Sequence, residues 1–266
     1  MTMQVAALMR YPVKSLGGEP LDPAPVALRG LDGDRRWMVV SPDGRFVTRR
    51  EMPAMARLHA RVGDDGGLVL NDADGARLEV ARPDGPRRNV TVWRQPVTAA
   101  TAGEEADAWL SERLGRAVQL VHMPDDVRRP VDLAYGAQDD EVSFADGFPL
   151  LVATEESLDA LNAQLPEPVT MARFRPNLVI RGAPVAFAED SWTRLRIGAI
   201  TFRLVKPCTR CVVTTQDPQS GAALGPEPLR TLRAMGRVWE RQPIFGVNAI
   251  PDAPGLIRVG DAIEVL

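Results

Sequence analysis

The sequence predicts a mainly β fold of the α+β class, with a few short helices. Three observations carry that expectation. Short runs of β-branched, aliphatic and aromatic residues recur along the chain. Pro-Asp-Gly, Asp-Asp-Gly-Gly and Asp-Ala-Asp-Gly segments separate several of them and set the turns. Helical periodicity is confined to three stretches. The spacing of the early strands implies a smaller β-rich or barrel-like N-terminal unit, and a second β-rich unit carries both cysteines, so the division is expected as 1–122 and 123–266.

In chain order, strands are expected at 5–9, 37–40, 68–70, 78–80 and 90–93. The apolar run of the first is too short, and its charges are wrongly placed, for a secretion signal. A helix follows over 104–114: Ala106, Trp109, Leu110 and Leu114 share a face, Glu104 and Glu105 fall in the first turn, and Gly115 suits the stop. Strand character resumes at 118–122, and the polar segment 124–147 reads as a loop or a crossing between units. Thr154 is expected to cap a second helix with the stripe Leu158, Leu161 and Leu165. A strand at 178–180 precedes a hairpin, 195–197 with 200–205, that turns around Gly198 and leads into the cysteines. Val-Val-Thr-Thr at 212–215 reads as strand until Asp217-Pro218 breaks it. A short helix at 229–235 and strands at 256–259 and 262–266, split by Gly260-Asp261, complete the chain.

At 266 residues the chain can bury one large core or two modest ones. Hydrophobic and charged contents of 45% and 25% match a globular protein. The net charge of −3 gives no general attraction to nucleic acid or anionic membrane, and no apolar stretch approaches the roughly 20 residues of a membrane span. Two cysteines in a chain of this length fit a reducing compartment better than a disulfide scaffold, and a cytoplasmic, bacterial-type protein is the simplest expectation. No phosphate-binding Gly-x-x-x-x-Gly-Lys-Ser/Thr loop or Gly-x-Gly-x-x-Gly fingerprint is present. His59 and His122 stand apart, which leaves a histidine-based triad without support.

The chemistry-bearing residues concentrate at Lys206-Pro207-Cys208-Thr209-Arg210-Cys211, which holds both cysteines and one of two lysines. The other lysine, Lys14, lies in Tyr11-Pro12-Val13-Lys14-Ser15, and the remainder of the 32 basic residues are arginines. Structural zinc would need two further ligands, which the distant histidines do not offer. A thioredoxin-like pair would need a helix after the cysteines, which a β-branched run disfavours. Two inert buried thiols are the bland alternative. A single thiolate on a soft or redox metal is the other, and Lys206, Thr209 and Arg210 would give it donors for an anionic partner. Lys14 with Ser15, Arg35 in the run 33–37, and Arg175 with Asn177 around Pro176 are further anion-binding candidates. Each arginine alone reads as a surface or ion-pair residue in so arginine-rich a chain.

Tyr11-Pro-Val-Lys-Ser15, Gly33-Asp-Arg-Arg-Trp37, Phe174-Arg-Pro-Asn177, Cys208-Thr-Arg-Cys-Val-Val-Thr-Thr215 with Asp217-Pro218, and Val259-Gly-Asp261 occur in this order across nearly the whole chain. Together they resemble the MOSC proteins, and within them the subgroup of the mitochondrial amidoxime-reducing component and its bacterial relatives. The resemblance implies an N-terminal MOSC-associated domain followed by a mainly β-barrel MOSC domain. It implies a molybdenum cofactor, a molybdopterin whose dithiolene sulfurs hold the metal, with Cys211 as the protein ligand and catalytic centre. Lys14, Ser15, Arg35, Arg175, Asn177, Thr209 and Arg210 match positions that hold the pterin and its phosphate. Gly147 and Asn248 complete the implied site, with backbone alone at the first where relatives carry a hydroxyl, and asparagine at the second where animal relatives carry tyrosine.

The implied activity is reduction of small N-hydroxylated compounds, amidoximes and hydroxylamines. The alternative is a molybdenum-cofactor carrier or sulfur-transfer protein without reductase activity. Pyridoxal phosphate, which broad descriptions of the superfamily mention, would need a Schiff-base lysine, and Lys14 and Lys206 are better explained as anion contacts. The chain shows no cluster, flavin or haem motif, so a separate electron-transfer protein of ferredoxin or flavin-reductase type is implied. Asp217 is a proton-relay candidate, with a turn role for the Asp-Pro pair as the alternative.

Overall fold

A computed structural model describes residues 2–266. The chain is mainly β, as the runs of alternating and β-branched residues predict. Its largest element is a nine-stranded mixed sheet. Ile263–Val265, Arg194–Ile197, Ile200–Thr209, Gln242–Pro251, Leu150–Thr154, Leu178–Arg181, Gln4–Arg10 and Glu19–Pro20 run across it in that order, and Val238–Trp239 pairs with Gln242–Pro251. Only Leu150–Thr154 and Leu178–Arg181 are parallel. The amino-terminal strand pairs with Leu178–Arg181, so the two halves of the chain share this sheet. Val5, Leu8, Val152, Phe202 and Val247 meet in its core.

The other sheets are smaller. Trp37–Val40, Gln119–His122, Gln95–Thr101 and Arg87–Val92 are contiguous in one, and Leu58–Val62, Leu68–Asp72 and Arg77–Val80 form a three-stranded meander. The helix Glu104–Leu114 buries Ala106, Leu110 and Leu114 against Trp37, Leu58 and Leu120. Gly115 takes the left-handed conformation (φ 64°) that ends it, as glycine does at little cost. Thr154 caps the helix Glu155–Asn162 by accepting from the Ser157 N–H at 3.1 Å. Leu165 lies beyond that helix but still packs with Leu158 and Leu161 around Phe174.

Two features bear directly on the cysteines. The long pairing of Ile200–Thr209 with Gln242–Pro251 shifts register between Leu204 and Lys206 and again between Pro207 and Thr209. Such irregularities bend a strand and re-aim its side chains, and here they fall on the run that ends at Cys211. The second feature corrects an expectation. Val212–Thr215 is a single 3-10 turn, not a strand. The hydroxyls of Thr214 and Thr215 donate back to the Cys211 and Val212 carbonyls at 2.9 and 2.8 Å. Local hydroxyl bonds of this kind compete with a sheet ladder and win.

Candidate functional site

One open cleft gathers Lys14, Ser15, Arg35, Gly147, Arg175, Asn177, Asn248 and the run from Cys208 to Cys211, with an empty volume of about 940 Å³ counting the part open to solvent. Its walls are mostly loops and strand ends, where backbone groups are free and side chains can converge, with Leu151 and Asn248 reaching it from within strands. Lys14 and Ser15 follow the strand Gln4–Arg10, and the Lys14 N–H is tied to the Trp37 carbonyl at 2.9 Å. Arg175 and Asn177 lead into Leu178–Arg181, while Gly147 precedes Leu150–Thr154. Cys208, Thr209, Arg210 and Cys211 form the end of the long bulged strand and its exit. Ser15, Arg35 and Arg175 all take left-handed backbone conformations, with φ of 72°, 48° and 55°. Non-glycine residues occupy that region at a cost, and such strain collects at functional sites.

The cleft is strongly cationic in a chain whose net charge is −3. Lys14, Arg35, Arg49, Arg50, Arg173, Arg175 and Arg210 line it, against the single carboxylate of Asp146. Lys14 is buried; its Nζ donates to the Phe144 carbonyl at 2.9 Å and is paired with Asp146. Burial lowers the Lys14 pKa, and Asp146 works against that shift. Burial raises the Asp146 carboxyl, yet Lys14 and Arg50 together hold it well below the usual carboxylate range. Burial, with Arg49 nearby, lowers Arg175 to about 9, and burial lowers Arg49 to about 10. Both guanidinia stay protonated at neutral pH. Arg175 makes no side-chain hydrogen bond or salt bridge among the described residues, so its charge is left for a ligand.

The other residues divide between braces and free groups. Asn177 is 1% exposed and its amide is saturated. It donates to the Met9 carbonyl and to Asp34 Oδ1, both at 3.0 Å, and accepts from Arg35 Nη1 at 2.8 Å and the Leu151 N–H at 3.2 Å. It therefore positions Arg35, which also pairs with Asp34 at 2.5 Å. Asn248 donates to the Lys206 carbonyl at 3.1 Å, holding the bulged strand. Gly147 leaves open space, since a Cβ there would meet nothing within 4 Å. Arg210 donates to Cys208 Sγ at 2.8 Å and to the Phe174 carbonyl at 2.6 Å, while its buried Nε has no partner. Cys208 and Cys211 are both free thiols, and Arg50 lies beside the Cys211 sulfur.

Two residues go elsewhere. Lys206 does not line the cleft: its ammonium rests over the Tyr135 and Trp239 rings at 4.3 and 4.7 Å. Asp217 lies outside the cleft lining and accepts from the Gln219 and Ser220 N–H groups at 3.1 and 2.7 Å, the turn role of an Asp-Pro pair. Arg49, Arg50, Arg173 and Asp146 line the site and were not anticipated. The Thr48-Arg49-Arg50 run was the available signal, masked by the abundance of arginine.

Among the described residues no three His, Cys, Asp or Glu side chains converge as metal ligands. A metal here would therefore lean on one thiolate and on a non-protein ligand. The donor set fits an anionic, metal-bearing pterin: an accessible thiol for a soft metal, an unpartnered Arg210 Nε, an uncommitted Arg175, and cations in large excess for a phosphate.

Comparison with known proteins places the chain in a family. Residues 2–117 match the MOSC N-terminal beta barrel domain and residues 139–264 match the MOSC domain. Mitochondrial amidoxime-reducing component 1 of Xenopus laevis is 34% identical over 97% of this chain and 81% of its own length. The human component 1 is 32% identical over 98% of this chain and 82% of its own. Human component 2 is 31% identical over 97% and 82%.

Proposed function

We propose, from the premise that this chain belongs to the MOSC family and to its amidoxime-reducing branch, that it is a molybdenum-cofactor-dependent reductase of small N-hydroxylated compounds. When bound, the cofactor supplies the two-electron chemistry that removes oxygen from an N–OH group. The chain's residues do the rest. Cys211 would hold the metal: it is a free thiol at the cleft, with the Arg50 guanidinium beside it to favour the thiolate, whereas Cys208 accepts from Arg210. Arg35, Arg49 and Arg175 would take the phosphate, with Ser15 and Thr209 adding hydroxyls. Lys14 and Asp146, linked to Arg50, fix the floor beside the sulfur. Asn177 and Asn248 brace these groups, and Gly147 leaves room for the ligand.

The observation that carries this reading is the convergence of seven cations and a free cysteine in one cleft of a chain with net charge −3. Two cysteines in 266 residues favour a reducing compartment such as the cytoplasm, whereas the relatives named above are mitochondrial. No helix is long and apolar enough to cross a membrane among the described residues. Electrons would come from a separate ferredoxin- or flavin-reductase-type protein. The test is turnover. Cofactor-loaded chain should convert benzamidoxime to benzamidine with reduced viologen, and should not draw on NADH until such a partner is added. Full molybdenum loading without turnover would favour the carrier or sulfur-transfer alternative.

A further inference from the structure

Arg35 and Arg175 come from separate segments, yet both guanidinia lie over one aromatic ring. Arg35 Cζ is 4.5 Å and Arg175 Cζ 4.1 Å from the centroid of Tyr11. The two like charges repel each other, and each lowers the free-energy cost of bringing in an anion. The ring face carries partial negative charge and attracts both. Tyr11 is itself rigidly held. It is 5% exposed, its N–H donates to Asp34 Oδ1 at 2.8 Å, and its carbonyl accepts from the Arg35 N–H at 2.8 Å. The hydroxyl makes only a long contact of 3.4 Å to the Pro176 carbonyl. Asp34 and Asn177 fix Arg35 further, whereas for Arg175 the ring is the one side-chain anchor among the described residues.

We propose that Tyr11 is the positioning residue of an oxyanion clamp, its aromatic ring holding Arg35 and Arg175 so that both can engage one phosphate group. The ligand class is a phosphate monoester, which the proposed cofactor carries, or free inorganic phosphate. The inference deepens the proposed function by naming what orders its anion-binding arginines. The ring's electrostatics, and not the hydroxyl, hold the two guanidinia.

The experiment measures inorganic phosphate and a simple phosphate monoester binding to the full chain, free of cofactor, by titration calorimetry. Tyr11→Phe keeps the ring face and should bind within about twofold of the unchanged chain. Pentafluorophenylalanine at position 11 keeps the shape but reverses the charge of the ring face, and should weaken binding about tenfold. Thermal unfolding of the two variants should coincide, which separates this effect from loss of packing. Equal binding by the two variants would overturn the proposal, and so would a large loss in Tyr11→Phe alone. Absence of phosphate binding in the unchanged chain would overturn it as well. A preference for the monoester over inorganic phosphate would identify the cofactor's group as the ligand, and equal affinities would identify phosphate in general. Molybdenum content is read separately, so the clamp can stand or fall apart from the reductase reading.

Discussion

Arg210 Nη1 donates to Cys208 Sγ at 2.8 Å, and this contact separates the two cysteines of the motif. The guanidinium between them is committed to the first and, through Nη2, to the Phe174 carbonyl. Cys211 follows immediately, where the chain leaves the sheet and its carbonyl starts the 3-10 turn Val212–Thr215. Cys208 thus acts as a partner that orients Arg210, while Cys211 keeps a free thiol toward the cleft.

The cysteines should therefore respond unequally to replacement. Cys211→Ala is expected to abolish turnover and to remove the protein sulfur from the metal's X-ray absorption spectrum. Cys208→Ala is expected to retain most of the bound molybdenum. Equal loss in both variants, with zinc bound instead, would contradict the assignment.

Arg175 has no hydrogen-bonded or ion-paired protein partner to strand, only its contact with the Tyr11 ring, so its removal should act chiefly on the ligand. Arg175→Ala is expected to weaken cofactor retention by about tenfold to a hundredfold, the worth of a charge-assisted hydrogen bond to phosphate. Arg116→Ala, at an exposed position outside the cleft, should change nothing. Cofactor occupancy after gel filtration checks both.

Asn177→Ala should show a different signature. Four hydrogen bonds end on that buried amide, two of them fully buried, and stranding their partners costs about 2–3 kcal/mol. Urea unfolding should reveal the loss of stability together with lower occupancy. Arg175→Ala should show the second effect without the first.

Much of the fold was legible because strand alternation, caps and turns are local signals. The helix Glu104–Leu114, its Gly115 stop and the Thr154 cap all follow from such signals. Gln242–Pro251 was not anticipated, since nine of its ten residues are at least partly buried and its Pro243, Gly246 and Pro251 read as breakers. Leu150–Thr154 is buried throughout and offers no alternation. Of the site, the cysteine motif and its matching partners could be named from order along the chain. Arg49, Arg50 and Asp146 could not, because their convergence is produced by the tertiary meeting of the two halves.

His122 gives a prediction for acid stability. It is 4% exposed, packed at 4.7 Å against the Trp37 ring, and its buried Nδ1 has no partner. Burial, with Arg36 and Arg82 adding repulsion, lowers its pKa from 6.5 to about 3. The folded state then binds the proton less readily than the unfolded one. Stability is full above pH 6.5 and falls as pH drops toward about 3. The loss attributable to this residue is roughly 3 kcal/mol by about pH 4. His122→Phe should flatten that part of the urea-unfolding profile, and an unchanged slope would contradict the assignment.

The central claim is that this cationic cleft holds a molybdenum-bearing pterin through Cys211. Elemental analysis of chain freshly purified from a host that makes the cofactor tests it most directly. The expected result is close to one molybdenum atom per chain, falling to background in Cys211→Ala while the variant stays folded. No molybdenum in the unchanged chain, or equal molybdenum in the variant, would contradict it.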